Sequence, residues 1–308
     1  MNLLEALIFS TIEFAPALVL GTLGAVISER TGVVNIAVEG MMRAGAFAAA
    51  AAALVMPTPL GLLFGMAAGG TIGAIHALLC VRLRADQVVS GMALNLVALA
   101  GGTFLLESLF SPSGTPPIEQ LGRWQIPLLS SVPVLRALSG HSWLTYVALL
   151  APLGLHTLLF RTALGLRLRA IGEKPAAAAT MGISVAWLRV GAVVAGGVLS
   201  GLGGASLSTS TLDRFEHHMP SGLGFMAVAA MVFGRWTPLG AFGAALFFAF
   251  GNALRIGLAS SIPQLSDVIP QGFLLALPYV LTLVVLAVQR RRSDAPAALG
   301  TPYQPELR

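Results

Sequence analysis

Long apolar segments separated by short polar ones make up most of the chain. One crossing of a bilayer needs about 20 mostly apolar residues in a helix. Nine segments approach or reach that length, at residues 3–27, 33–55, 60–81, 88–110, 143–160, 187–207, 222–233, 239–258 and 272–289. The pattern predicts an all-α, polytopic integral membrane protein, a helical bundle of about eight to ten transmembrane helices. The segment at 222–233 is short for a full crossing and predicts either a half-helix or a continuation into its neighbour.

The composition leaves little room for anything outside this bundle. Of the 308 residues, 56% are hydrophobic and only 10% are charged, and the mean hydropathy is +0.83. Soluble domains have about 25% charged residues, so secreted enzymes and cytosolic modules are excluded. We expect one transmembrane domain over residues 1–292, with membrane lipid around it. A short disordered tail is predicted at 293–308, where prolines are frequent.

The basic residues indicate how the bundle is oriented. Clusters of cations occur near Arg82, at 161–174, at Arg235 and at 290–292, and the count of nine spans puts all four on one side. Cytoplasmic loops are enriched in Lys and Arg, so this side is predicted to be the cytoplasm, with the C-terminus on it. The net charge of +5 therefore reflects membrane topology, and no nucleic-acid partner is expected.

Polar residues within the spans are the first candidates for function, because they are costly in lipid. Asn35, Glu39 and Arg43 are spaced by four and share one helix face. That face either lines a polar pathway or contacts a partner helix, and an ion pair that neutralises itself is the structural alternative. Asn95 is an isolated amide, which is more often used for an interhelical hydrogen bond than for a ligand.

Small residues in the third span predict close helix packing. Gly61, Gly65, Gly69 and Gly73 follow one another at intervals of four and lie on one helix face. Without side chains at these positions, another backbone approaches closely. We expect a packing role for this stripe.

The cytoplasmic segment at about 161–184 reads RTALGLRLRAIGEKPAAAATMGIS. It is basic at its start, and Pro175 suits the first turn of a helix that continues through the alanines. A short helix that docks into a groove on a soluble partner is one interpretation. A plain positive-inside loop is the other.

Catalytic and metal-binding patterns are missing from the sequence. It contains no HExxH, GxSxG or GxxxxGK[ST] motif, and Cys80 has no second cysteine to pair with. His217 and His218 are adjacent, a spacing that does not direct both rings at one ion. We expect no metal site, no enzymatic activity and no ATPase site in this chain.

Three blocks resemble permeases of the nucleoside and simple-sugar group of ABC importers, within the branched-chain amino acid and ribose permease superfamily. ISERTGVVNIAVEGMMRAGAFAAA at 27–50 is similar to the group's first signature. LRAIGEKPAAAATMGI at 168–183 resembles its cytoplasmic coupling segment, and FGRWTPLGAFGAALFFAFGNAL at 233–254 resembles its second block. Relative to other ABC importers, Ala176 occupies the position of a glutamate in the coupling loop.

The resemblance implies a permease subunit in the bacterial inner membrane that pairs with a second, homologous permease. Two cytoplasmic ABC ATPase subunits would bind ATP and Mg, and a substrate-binding protein or lipoprotein would deliver the cargo. Arg169, Gly172, Glu173 and Gly182 would lie at the ATPase contact. The helix with Asn35, Glu39 and Arg43 would lie beside the translocation pathway.

The Ser-Glu-Arg turn resembles nucleoside permeases more than ribose or xylose permeases, so nucleosides are the expected cargo, with related simple sugars as the alternative. Phe47, Asn95 and Phe225 are predicted to provide a moderately polar path for a flat base. An ion-coupled secondary transporter that uses Glu39 is the rival of another class. It would function without an ATPase.

Overall fold

The computed structural model describes residues 3–127, 135–261 and 294–304. The helices in these ranges are α1 Leu3–Glu29, α2 Val38–Ala53, α3 Thr58–Ala77, α4 Gln87–Leu109, α5 Trp143–Arg161, α6 Ala163–Glu173, α7 Pro175–Thr180, α8 Val185–Ser206, α9 Leu223–Phe233 and α10 Pro238–Ser261. Two of them continue into π-helical turns, α3 into Leu78–Arg82 and α8 into Leu207–Thr211. A 3₁₀ turn, Leu135–Leu138, precedes β2. Strands β1 Arg123–Trp124 and β2 His141–Ser142 pair antiparallel.

The all-α membrane bundle predicted from the sequence is confirmed. Eight predicted spans correspond to α1 to α5 and α8 to α10, and the ninth, at 272–289, lies outside the described residues. Within the described residues, five helices are long and apolar enough to cross a membrane: α1, α3 with its π turn, α4, α5, and α8 with its π turn.

Helix α9 is a half-helix, which resolves the alternative left open for 222–233. Its 11 residues rise about 16 Å, roughly half of the 30 Å hydrocarbon layer. A turn separates α9 from α10, and two residues of this turn, Arg235 and Trp236, have positive φ. These two residues end one helix and redirect the chain into the next.

The predicted second span begins too early. The sequence predicts a helix from residue 33, but α2 begins at Val38 and residues 33–37 are not helical. Side chains from another helix bind this non-helical backbone: Gln87 Oε1 accepts from the N–H of Val34 at 2.7 Å, and Asn95 Nδ2 donates to the carbonyl of Ile36 at 2.9 Å. Non-helical backbone at membrane depth is tolerated only when it is satisfied in this way.

Glycine contacts hold α2, α3 and α8 together, as the small-residue stripe predicts. A Cβ built on Gly65 would lie 2.8 Å from the Cβ of Ala205, and one on Gly73 would lie 2.9 Å from the carbonyl oxygen of Val193. Both distances are shorter than side chains tolerate, so the helices pack backbone to backbone. Close packing of this kind is typical of small residues at helix interfaces in membranes.

Residues 294–304 differ from the disordered tail that the sequence predicts. They pack against the end of the bundle that carries α6 and α7, and Ala298 is buried. Backbone carbonyls of two glycines accept hydrogen bonds from this segment: Gly172 from Ala298 at 2.9 Å and Gly32 from Gly300 at 3.2 Å. Frequent prolines lower helix propensity, but they do not prevent an extended segment from docking on such acceptors.

Candidate functional site

A cavity of about 440 Å³ opens where the chain breaks before α9. Four regions form it, together with one residue from α1: the π turn after α8, the loop at 212–222, the first turn of α9, and α10. The lining residues are Phe14, Leu207, Thr211, Leu212, Glu216, His218, Met219, Pro220, Ser221, Leu223, Met226, Asn252 and Arg255. Its volume is within the range of sites that hold small organic ligands, about 300–1,000 Å³.

The lining is mainly apolar, with polar groups from several elements. Glu216 and Arg255 contribute opposite charges, Asn252 an amide, and Ser221 a hydroxyl, while Phe14 adds an aromatic ring. A wall of this kind suits a neutral, polar and partly flat molecule, because apolar surface covers its faces and a few directional groups bind its edges.

Glu39 fixes the start of α9 beside this cavity. Its carboxylate accepts hydrogen bonds from the N–H groups of Gly222 at 2.8 Å and Gly224 at 2.7 Å. Gly222 has φ +88°, the left-handed conformation that glycine tolerates. A carboxylate at a helix N-terminus satisfies free N–H groups and interacts favourably with the helix dipole. Glu39 therefore holds the half-helix at its broken end.

Arg43 binds the loop that precedes α9. Its Nη1 donates to the carbonyl of Met219 at 2.6 Å, and its Nη2 donates to the carbonyl of His217 at 2.7 Å and to Thr103 Oγ1 at 3.2 Å. The guanidinium also lies 5.6 Å from the ring centre of Phe215. Glu39 and Arg43 thus bind backbone groups on either side of the break. The sequence left a polar pathway, a helix contact and a self-neutralising ion pair open for this polar face. The contacts of Glu39 and Arg43 show that it supports the cavity-lining loop.

The remaining predicted pathway residues have packing contacts. Asn95 Oδ1 accepts from the N–H of Gly40 at 2.8 Å, so this amide makes the interhelical hydrogen bond expected of it. The backbone N–H of buried Asn35 donates to the Glu29 carboxylate at 3.3 Å. The ring of Phe47 lies edge-on to that of Phe215, with centroids 5.4 Å apart.

The cavity is lined by other polar residues than the six predicted for the pathway. Phe225 is 43% exposed on α9, and the described lining includes neither it nor the other five predicted pathway residues; their role in transport stays a prediction. Asn252 and Arg255 do line it. Their spacing of three on one helix was an available signal, because it puts both on one face.

The coupling segment forms two helices, α6 and α7, and Pro175 begins α7 as expected. Most of the four predicted contact residues bind within the chain. Arg169 Nε donates to the carbonyl of Leu159 at 3.0 Å, Gly172 packs against the backbone of Arg30, and Glu173 accepts from the N–H of Ala297 at 3.2 Å. Gly182, with φ +79°, is exposed.

The surface left open on this segment lies around α7. Ala176 is exposed, and the side chain of Met181 is 80% exposed. Ala178, in contrast, points into a small apolar cluster with Ile171 and Val185. The buried side anchors α7 to the bundle, and its outer side is available to a partner.

A charged residue in the N-terminal half of α1 binds the small sheet. Glu13 pairs with Arg123 at 3.0 Å and with His141 at 2.9 Å. Further along, Arg214 pairs with Asp213 at 2.8 Å, and this hydrogen bond lowers the pKa of Asp213. Within the described ranges, no group of three His, Cys, Asp or Glu side chains is placed to hold a metal ion.

A helical membrane bundle with a half-helix beside a cavity has the architecture of a membrane transport protein. Residues 7–278 match the family model described as the permease component of branched-chain amino acid transport systems. The chain belongs to this family of ABC transporter permeases.

Particular relatives match over almost the whole chain. The guanosine ABC transporter permease protein NupQ of Bacillus subtilis is 40% identical, over 98% of both chains. The nucleoside ABC transporter permease protein NupC of Lactococcus lactis is 37% identical, also over 98% of both. The putative glucose ABC transporter permease protein TsgC13 of Haloferax volcanii is 33% identical over the full length of both.

These findings define the chain as the permease subunit of an ABC importer, a multi-pass membrane protein that works in a complex with other permease and ATPase subunits. It is a transport subunit, which fits the expectation that it is not an enzyme. The ion-coupled alternative built on Glu39 is not supported. The contacts of this carboxylate offer a physical reason, since two backbone N–H groups occupy it.

Proposed function

We propose that this permease imports nucleosides and that the cavity before α9 is part of their path. The observation that carries the proposal is the full-length similarity to permeases named for guanosine and for nucleosides, at 40% and 37% identity. The relative named for glucose, at 33% identity, makes simple sugars the second candidate. An aromatic residue in the cavity favours a cargo with a flat base over a sugar alone.

The cavity lining supports this assignment chemically. Phe14 offers a ring face for stacking, and the amide of Asn252 both donates and accepts hydrogen bonds, as the edge of a nucleobase does. Glu216 and Arg255 offer an acceptor and donors for ribose hydroxyl groups. We assign the base to the Phe14 side and the ribose to the charged pair.

The proposed complex contains a second, homologous permease, two ABC ATPase subunits that hold ATP and Mg, and a substrate-binding protein or lipoprotein. Residues 1–292 form the permease domain in the inner membrane, and the C-terminus is cytoplasmic. The α6–α7 segment contacts an ATPase through the exposed surface around Ala176, Met181 and Gly182. Arg169, Gly172 and Glu173 act there by holding the segment in place.

Along the pathway, Glu39 and Arg43 act through the loop that they bind, and Asn35 and Asn95 act through the non-helical backbone at 33–37. Phe47 supports the same loop through Phe215, and Phe225 is presented by the first turn of the half-helix. The cargo therefore meets a surface whose shape these six residues set.

The test is uptake by the purified complex in liposomes that contain ATP. Labelled guanosine, uridine and glucose are each offered with the cognate binding protein. We expect ATP-dependent uptake of at least one nucleoside and little uptake of glucose. Glucose uptake without nucleoside uptake would contradict the proposal, as would nucleoside uptake that persists without ATP.

The cavity assignment has its own pair of variants. Phe14→Ala removes the proposed stacking ring and should raise the KM for nucleosides about tenfold, since stacking of a base on an aromatic ring contributes roughly 1–3 kcal/mol. Phe104→Ala is the matched control, because Phe104 is 69% exposed on α4. Equal KM values for the two variants would remove the cavity from the path.

A further inference from the structure

The docked segment at 294–303, here called the clasp, contacts four separate parts of the same end of the bundle. Asp294 pairs with Arg235 in the turn between α9 and α10. The N–H of Ala297 donates to Glu173 Oε2 at 3.2 Å, at the end of α6. Further contacts follow at the turn after α1 and at the start of α8. One short segment thus joins elements that lie far apart in the sequence.

Arg189 is the centre of these contacts. This residue of α8 is only 2% exposed, and its Nε donates to the carbonyl of Thr31 at 3.0 Å while its Nη1 donates to the carbonyl of Thr301 at 3.0 Å. A buried guanidinium is retained only where hydrogen bonds compensate for its desolvation. Arg189 therefore links α8, the turn after α1 and the clasp through one rigid group.

Close backbone packing makes the joint tight. Gly32 has φ +89°, and a Cβ there would lie 2.7 Å from Arg189 Nη2 and 3.0 Å from the carbonyl oxygen of Ala298. On the other side, a Cβ on Gly172 would lie 3.4 Å from the Cβ of Pro296. Glycine at both positions lets the clasp lie directly against α6 and the turn after α1.

The clasp also covers the apolar side of the coupling segment. Tyr303 packs against the cluster formed by Ile171, Ala178 and Val185, which come from α6, α7 and the start of α8. The first turns of α6 are held separately by α5, through the bond from Arg169 to Leu159. The far end of α6 also packs against the backbone of Arg30 through Gly172, and α7 is held by this cluster, to which the clasp contributes Tyr303.

We propose that the clasp and Arg189 position the α6–α7 segment, so that movement of the ATPase is transmitted to α1 and α8. The inference rests on the proposed contact between this segment and the ATPase. Without the clasp, α7 would move with the ATPase while the helices beside the cavity stayed behind. ATP hydrolysis would then continue with little transport, so Arg189 is a positioning residue for coupling.

The experiment compares two truncations within the complete complex. A chain ending at residue 293 lacks the clasp, and a chain ending at residue 304 retains it and serves as the matched control. Nucleoside uptake and ATP hydrolysis are measured on the same liposomes. We expect the ratio of uptake to hydrolysis to fall about tenfold for the shorter chain, within the range of 5- to 150-fold typical of coupling between sites, and to stay unchanged for the control.

A point variant separates positioning from folding. Arg189→Lys keeps the charge but cannot donate to both Thr31 and Thr301 from one planar group, and it should lower the ratio in the same direction. Arg84→Lys, on an exposed arginine outside the coupling segment, is its control. A wild-type ratio in both the shorter chain and Arg189→Lys would overturn the proposal. Uptake and hydrolysis that fall in proportion in both would also overturn it, because that result describes a folding defect.

A separate measurement tests the ATPase contact on which the inference rests. Met181→Cys in the full-length chain places a thiol on the exposed surface beside α7, while Cys80 is buried. A cross-linker with a maleimide at one end and an amine-reactive ester at the other should bond to this thiol and to a lysine amine of an ATPase subunit, with loss of the ester's leaving group. Lack of a cross-link in the full-length complex would refute the contact itself, whereas a cross-link together with an unchanged uptake ratio in the shorter chain would refute only the clasp.

Discussion

Removing the carboxylate of Glu39 should loosen the half-helix and the cavity together. Glu39→Ala leaves the N–H groups of Gly222 and Gly224 without the acceptor they have at 2.8 and 2.7 Å. Loss of a helix cap costs about 0.5–2 kcal/mol, and a buried donor left unsatisfied costs about 1–3 kcal/mol. These contributions overlap, so we expect a total destabilisation of about 2–4 kcal/mol.

The loss should appear in both stability and transport. A free-energy change of 1.4 kcal/mol alters an equilibrium constant by a factor of ten. If this part of the destabilisation acts on the cavity-lining loop, the KM for nucleoside uptake should rise at least about tenfold. The midpoint of thermal unfolding of the purified complex should fall as well. Glu39→Gln retains one oxygen acceptor but no charge, so its effects should lie between those of wild type and Glu39→Ala.

Glu119→Ala is the control, because Glu119 is exposed in a loop. A wild-type KM and thermal midpoint for Glu39→Ala would refute the capping role. If Glu39 instead contacts the cargo directly, Glu39→Gln should change the preference among nucleosides and leave the thermal midpoint unchanged. The two readouts thus distinguish a support for the loop from a ligand-binding group.

Three further predictions concern the packing that supports the site. Gly69→Ala should lower the thermal midpoint and the yield, because its Cβ would lie 2.5 Å from a backbone Cα of α8, whereas Gly191→Ala meets no atom within 4 Å and should be neutral or slightly stabilising. Asn95→Leu should cost about 1–3 kcal/mol, as it leaves a buried N–H and a carbonyl unpaired, and denaturant unfolding of the complex measures this. Trp236→Phe removes the 2.7 Å hydrogen bond from the indole N–H to the Glu29 carboxylate at the end of α1. The free energy of unfolding should fall by about 1.5–3 kcal/mol in the same assay, and Trp124→Phe, at an exposed position, is the control.

The helices were predictable from the sequence because length and apolarity determine where a chain crosses lipid. The half-helix at α9 could also be anticipated, since 11 residues are too few to cross. The start of α2 could not, because the segment at 33–37 reads as apolar and is kept non-helical by Gln87 and Asn95, which lie more than 50 residues further on. Hydropathy contains no information about such distant partners.

The candidate site was less predictable than the fold for a related reason. Glu39 and Arg43 stood out because charges are rare in the spans, but the loop and helix that they support are more than 170 residues away. The lining of the cavity comes from five separate regions, and Glu216 and His218 have the surroundings of ordinary loop residues in the sequence. The clasp was mistaken for a disordered tail because its composition resembles one, while its order depends on acceptors elsewhere.

The non-helical segment at 33–37 also constrains the order in which the chain can be assembled in the membrane. When α1 and the start of α2 leave the ribosome, Gln87 and Asn95 have not yet been synthesised, so the backbone between the two helices lacks the acceptor for its Val34 N–H and the donor to its Ile36 carbonyl. It must stay hydrated, or shielded by the insertion machinery, until α4 arrives. The first helices of this permease therefore enter the lipid as a group, and a ribosome stalled before residue 95 should hold a nascent chain that is inserted only in part.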